Sequence, residues 1–226
     1  MTAKPNAPSQ GNNGYALQVS DHTKIVEFVL KNRQNLGGGC QTLTASEVLK
    51  RCMMLSQGDE IRIDLFSNAF AAVQEVEQAL LLVDIADPDW QQAAAVASRI
   101  VLAADMGDLI TGLREEMSKR YAEPVQIGVK TAIEMLEAGS ETIYNPQVWI
   151  VYNIWDPRQI IGAGSALVNK VKDKVVEAGK ADAIGAVAGA LGGAAKGAIF
   201  GGGVAVSAGG GAVAGGVAAS TKSVLD

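Results

Sequence analysis

Apolar residues recur along most of this chain at steps of three and four, the spacing of helices that each bury one face. The clearest run follows Asp59, where Phe66, Ala69, Val73, Val76, Leu80 and Val83 predict a helix packed along another helix. Upstream, Ile25, Val26, Phe28, Val29 and Leu30 predict a short helix between Asp21 and Arg33. Thr44-Ala45-Ser46-Glu47 has the form of a capping box, opening a helix that runs to about Gln57 and ends at Gly58. Asp87-Pro88 supplies a cap and a proline at the first helical position, and Val96, Ile100, Ala104, Leu109, Leu113 and Met117 predict one long helix to about Arg120. With only Ala86 to Asp89 between them, the Asp59 and Pro88 helices predict an antiparallel hairpin. Pro124 opens a further helix that Gly139 closes, with Val125, Val129, Ile133 and Leu136 on its buried side.

Two later stretches read differently. Between Asn145 and Pro157, β-branched and aromatic residues are concentrated between two proline-containing turns, compatible with a strand, an extended linker or one helical turn; propensity favours the extended forms. Ser165 then caps a helix with Leu167, Val168, Val171 and Val175 on one side and Lys170, Lys172 and Lys174 around the other, ending at Gly179.

The last part of the chain has its own pattern. Gly185, Gly189, Gly193, Gly197 and Gly201 recur every four residues, with Ala186, Ala190, Ala194, Ala198 and Gly202 beside them. Four residues is close to one helical turn, so the two rows form a flat stripe almost without side chains. Glycine inside a helix costs about 1 kcal/mol relative to alanine, a penalty that a close backbone contact must offset. Asp182 caps a helix from Ala183 to Gly201 of roughly 28 Å, near the thickness of a bilayer core. Gly201-Gly202-Gly203 makes a turn, and Val204 to Ser220 is a second uncharged run in which Ser207, Gly211, Gly215 and Ala219 again stand four apart. The expected object is a hairpin of two small-residue helices packed face to face. The expected fold class is all-α: a disordered segment over 1–20, a helical bundle body over 21–180 and a Gly/Ala-rich helical hairpin over 181–226.

Composition narrows the chemistry. The net charge is −5, from 19 basic and 24 acidic residues, which gives no electrostatic footprint for nucleic acid. Cys40, Cys52 and the single histidine, His22, are too few for a structural zinc site or a disulfide framework, and both cysteines read as reduced thiols. His22 reads as a surface histidine without a nucleophile near it. Adjacent carboxylates such as Asp59/Glu60 and Glu115/Glu116 read as solvated helix faces, and Gly162-Ala163-Gly164-Ser165 lacks the lysine and spacing of a phosphate loop. No cofactor, metal or small-molecule substrate is expected, and no catalytic residue. The polar start of the chain lacks the apolar run of a secretory signal, so synthesis in the cytoplasm is expected. Leu36-Gly37-Gly38-Gly39 reads as a flexible loop.

Alanine and glycine are only weakly lipophilic, and Lys196 adds about 2.5–3.5 kcal/mol at mid-membrane on insertion scales. The hairpin therefore suits storage against a body or against copies of itself, followed by insertion. Trp149, Tyr152 and Trp155, with Tyr144 nearby, have rings of the kind that settle at the headgroup level, and Lys170, Lys172, Lys174 and Lys180 can meet anionic lipid. Gly185-Ala186-Val187-Ala188-Gly189 and Gly209-Gly210-Gly211-Ala212-Val213-Ala214-Gly215-Gly216 resemble the glycine-zipper segments of bacteriocin-like proteins and α-helical pore-forming toxins. The resemblance covers the C-terminal forty or so residues and implies an oligomer that inserts into a lipid bilayer. The four-residue spacing by itself gives Gly185, Gly189, Gly193, Gly197, Gly201, Gly211 and Gly215 the expected role of bringing helices together. A soluble ring, shell or filament joined through the same zipper is the alternative expectation.

Overall fold

A computed structural model of the chain describes residues 17–36, 43–152, 157–200 and 203–225. These residues form ten helices and no strand, an all-α bundle. The order is α1 (Val19–Lys31), α2 (Arg33–Leu36), α3 (Ala45–Leu55), α4 (Glu60–Leu80), α5 (Pro88–Val101), α6 (Met106–Met117), α7 (Glu123–Gly139), α8 (Pro146–Val151), α9 (Pro157–Phe200) and α10 (Val204–Leu225).

Local chemistry sets most of the boundaries. Thr44 and Glu47 form the capping box that starts α3: the Glu47 amide donates to the Thr44 hydroxyl at 3.2 Å, and Glu47 accepts from the Thr44 amide at 2.8 Å. Gly58, at φ +92°, takes the left-handed turn into Asp59, whose carboxylate caps α4 through the Arg62 amide at 3.1 Å. The three-and-four run of α4 buries Phe66, Ala69, Val73 and Val76. Leu17 is already buried and Val19 begins α1, so residues 17–20 belong to the folded part instead of a disordered leader; the rest of 1–16, like Gly37–Gly39 and Cys40, lies outside the described residues.

Several expectations are corrected. The single long helix from Pro88 to Arg120 is two helices, because Asp105 breaks the chain and caps α6 by accepting from the Asp108 amide at 2.8 Å. The expected hairpin of α4 with the following helix is not formed; α5 packs on α9 and α6. Within the 145–157 stretch, residues 146–151 are a helix and not extended, since Asn145 caps the Gln147 amide at 2.9 Å and Pro146 occupies the first turn. No helix ends at Gly179, and Asp182 caps nothing. Both lie inside α9, which runs unbroken across the expected boundary between body and tail at 180/181.

The hairpin of α9 and α10 is the centre of the bundle and not an appendage. Helices α7, α4, α5, α6 and α8 pack on α9, and α1, α7, α4 and α3 pack on α10.

Candidate functional site: a buried glycine hairpin

Along the hairpin the backbones of α9 and α10 touch. A side chain's first carbon on Gly189 would stand 2.9 Å from the Gly215 Cα, and one on Gly215 would stand 2.9 Å from the Gly189 Cα. On Gly185 it would meet the Ala219 Cβ at 2.7 Å, on Gly211 the Gly193 Cα at 2.9 Å, and on Gly197 the Ser207 Oγ at 2.9 Å. Carbon atoms pack best at about 3.5–4.0 Å, so Gly185, Gly189, Gly211 and Gly215 admit no larger residue without separating the helices, while at Gly197 the nearest atom is a hydroxyl that can turn aside. Gly203, at φ +78°, makes the turn; Gly201 lies outside the described residues.

The alanine row beside the glycines has another partner. On α7, a carbon added to Gly128 would come 2.7 Å from the Val187 Cα and 3.1 Å from the Ala190 Cβ, so α7 crosses α9 almost backbone to backbone. Gly192 faces Leu80 of α4, and Gly216 of α10 faces Met135 of α7. Gly128 was visible in the sequence only as one glycine inside an apolar helical pattern, and its pairing with the alanine row was not.

At the end of the hairpin opposite its turn, four elements meet in a polar contact sealed from solvent. His22 on α1 and Asp182 on α9 are both 0% exposed, as is Ser220 on α10. Ser220 donates its hydroxyl proton to the Gly216 carbonyl at 3.0 Å, so the His22 Nε2–H donates to the Ser220 Oγ at 3.0 Å, with Asp182 Oδ2 also 3.4 Å away. Tyr144, from the turn between α7 and α8, donates its hydroxyl to the same Asp182 oxygen. Gly139 seats that tyrosine: a carbon added to Gly139 would come 2.6 Å from the ring. His22 Nδ1 and Asp182 Oδ1 have no partner.

Burial raises the Asp182 carboxyl above its ordinary value, with His22 and Tyr144 pulling the other way. Burial also holds the Tyr144 hydroxyl well above its ordinary range, and the neighbouring carboxylate adds to the effect, so it remains a donor. The residue types are those of a serine hydrolase triad, but the geometry is not. Asp182 and Ser220 address the same imidazole nitrogen and Nδ1 is unpartnered, whereas a triad needs the acid on one nitrogen and the hydroxyl on the other. The arrangement ties helices together. The surface histidine expected from the sequence is thus a buried one; its apolar neighbours Ile25, Val26 and Val29 were the available signal.

The other expected site residues are scattered. Trp149 is buried, its indole N–H donating to the Ile143 carbonyl at 2.7 Å, so in this fold the ring lies inside the bundle and not at an interface. Tyr152 is half-buried, its hydroxyl donating to Glu27 at 3.3 Å and its ring beneath the Lys31 ammonium. Trp155 lies outside the described residues. Lys170 and Lys172 are exposed on α9 and Lys174 is half-buried there. Lys196 pairs with Glu75 of α4 near the turn of the hairpin. Among the described residues, no group of three or more histidine, cysteine or acidic side chains is placed to hold a metal ion. Among the described residues, the helix long and apolar enough to cross a membrane, by length and composition, is α10, with a mean hydropathy of 1.3.

No family model matches this chain, and neither a curated protein nor a solved structure matches it.

Proposed function

We propose that this is a membrane-inserting protein that keeps a glycine hairpin folded inside a helical bundle until it meets a bilayer, and that several copies then form a toxin-like pore. The observation that carries this reading is the hairpin itself. From Ala183 to Thr221 the one charged residue is Lys196, and α10 has the length and hydropathy of a span. Small-residue packing between helices needs no water to drive it, so two helices already in backbone contact keep that contact on moving from protein to lipid. The faces now turned to α7 and α4 exchange protein neighbours for acyl chains. Lys196 lies about 8 Å from the turn at 1.5 Å per residue, close enough for its stem to reach the far headgroups once it parts from Glu75. Lys170 and Lys172, outside the uncharged stretch, suit an anionic surface. In this reading the protein is made in the cytoplasm and acts at the membrane of a target cell.

The alternative of a structural protein assembling through the zipper draws less support, because Gly185, Gly189, Gly193, Gly211 and Gly215 are occupied within one chain. The test uses the full chain with dye-loaded vesicles of zwitterionic or anionic lipid. Co-flotation with dye release supports insertion. Failure to float or release dye with every lipid overturns it, and a large particle formed without lipid supports the structural alternative.

A further inference from the structure

We propose that the contact among His22, Asp182, Tyr144 and Ser220 is the latch that holds the glycine hairpin in the bundle, and that losing it frees the hairpin ahead of the other helices. The contact is placed for that role. It joins α1 and the α7–α8 turn to both arms, and it does so at the hairpin's open end, where α9 enters and α10 leaves. Between this point and the Lys196–Glu75 pair near the turn, the hairpin meets the body at Gly128 against Val187 and Ala190, at Gly192 against Leu80 and at Gly216 against Met135, contacts of apolar side chains and bare backbone. The buried carboxylate adds a directional contact at the open end.

The same contact is built to be lost. His22 Nδ1 and Asp182 Oδ1 are buried without partners, so opening restores their hydration and returns part of what closing cost. Asp182 is also the last carboxylate before the stretch whose one charge is Lys196. Once Tyr144 and His22 let go, it can stay in water at the base of the hairpin while Ala183 onward moves. Insertion of the freed hairpin rests on the membrane reading above; the opening itself does not.

The experiment is hydrogen exchange on the full chain, comparing wild type with Tyr144→Phe, which keeps the ring seated on Gly139 and removes one donor from a buried carboxylate. Amides of α10 and of residues 183–198 are expected to exchange about a hundredfold faster, with a clearly smaller rise in α3 to α6, which pack on the hairpin but keep their contacts with one another. Asp182→Asn added to Tyr144→Phe removes the charge left without its donor and is expected to restore most of the protection; Ser220→Ala should act in the same direction as Tyr144→Phe. Equal acceleration in every helix, or none in α10, overturns the latch. A vesicle arm separates the two claims. Hairpin-selective exchange with no dye release by either protein supports the latch and sinks the membrane reading. Dye release by the wild type with uniform exchange in the variant sinks the latch alone.

Discussion

Gly210 and Gly211 are neighbours in α10, and replacing each by alanine should move stability in opposite directions. A carbon added to Gly210 meets nothing within 4 Å, whereas one added to Gly211 stands 2.9 Å from the Gly193 Cα and 3.0 Å from its nitrogen. Both substitutions remove a glycine from a helix interior, a gain of about 1 kcal/mol. At Gly211 the Gly189 carbonyl oxygen stands closer still to the added carbon, so the helices must part by more than the roughly 0.6 Å that carbon contact with Gly193 alone requires, and the opposing atoms are backbone that no rotamer change can move. Overpacking of that kind costs about 3 kcal/mol, the upper end of the usual range. Gly210→Ala is therefore expected to be about 1 kcal/mol more stable than wild type and Gly211→Ala about 2 kcal/mol less, or roughly 3 °C up and 6 °C down for a chain of this size. Because the propensity gain is common to both, their difference of about 3 kcal/mol isolates the cost of close packing. Urea and thermal melts followed by far-UV circular dichroism measure it. If Gly211→Ala is as stable as Gly210→Ala, α9 and α10 do not touch as described.

Burial holds Asp182 above its ordinary value in the folded protein, so its contribution to stability is present at acid pH and is lost as pH rises through the folded value. Asp182→Asn, which can still accept from Tyr144, is expected to flatten that fall and to be more stable than wild type at neutral pH; urea melts between about pH 4 and about pH 8 check this, and an unchanged profile refutes it. Burial pushes the Cys52 thiol up to about 12, so in a Cys40→Ser background it should resist iodoacetamide until the bundle unfolds; rapid labelling of the native protein would contradict the packing of α3. Gly139→Ala would put a carbon 2.6 Å from the Tyr144 ring, and is expected to cost about 2 kcal/mol and to speed exchange in α10 as Tyr144→Phe does. Thr44→Ala removes the hydroxyl half of the capping box, leaving Glu47 to accept from the backbone amide of residue 44, and should cost about 1 kcal/mol in a urea melt; no loss would show that α3 is set by its packing on α4 instead of by its cap.

What the sequence made legible were features with one physical cause. The α4 pattern at Phe66, Ala69, Val73 and Val76 can only be a buried stripe, and Thr44 with Glu47 can only be read locally. The α5–α6 break was legible in principle: Val96, Ile100, Ala104, Leu109 and Leu113 contain one five-residue step, at Asp105, and a continuous helix would have turned its two halves to different sides. Other signals failed because one residue type serves two ends. Gly179 and Asp182 look like a helix stop and a helix cap, the commonest uses of glycine and aspartate. In the fold, Gly179 makes room for Met106, whose sulfur would stand 2.8 Å from an added carbon, and Asp182 is a buried acceptor. Only tertiary neighbours decide between those uses, and these are far away in sequence: Met106 for Gly179, and Tyr144 and His22 for Asp182. The same ambiguity gives the stripe its meaning. Glycine every fourth residue specifies a surface that something must approach closely, and the approaching surface is the chain's own second arm, with the alanine row taken by α7 at Gly128. A contact face satisfied within one molecule is not free to recruit another, so any assembly of this protein must use either a different surface or a hairpin that has left the bundle.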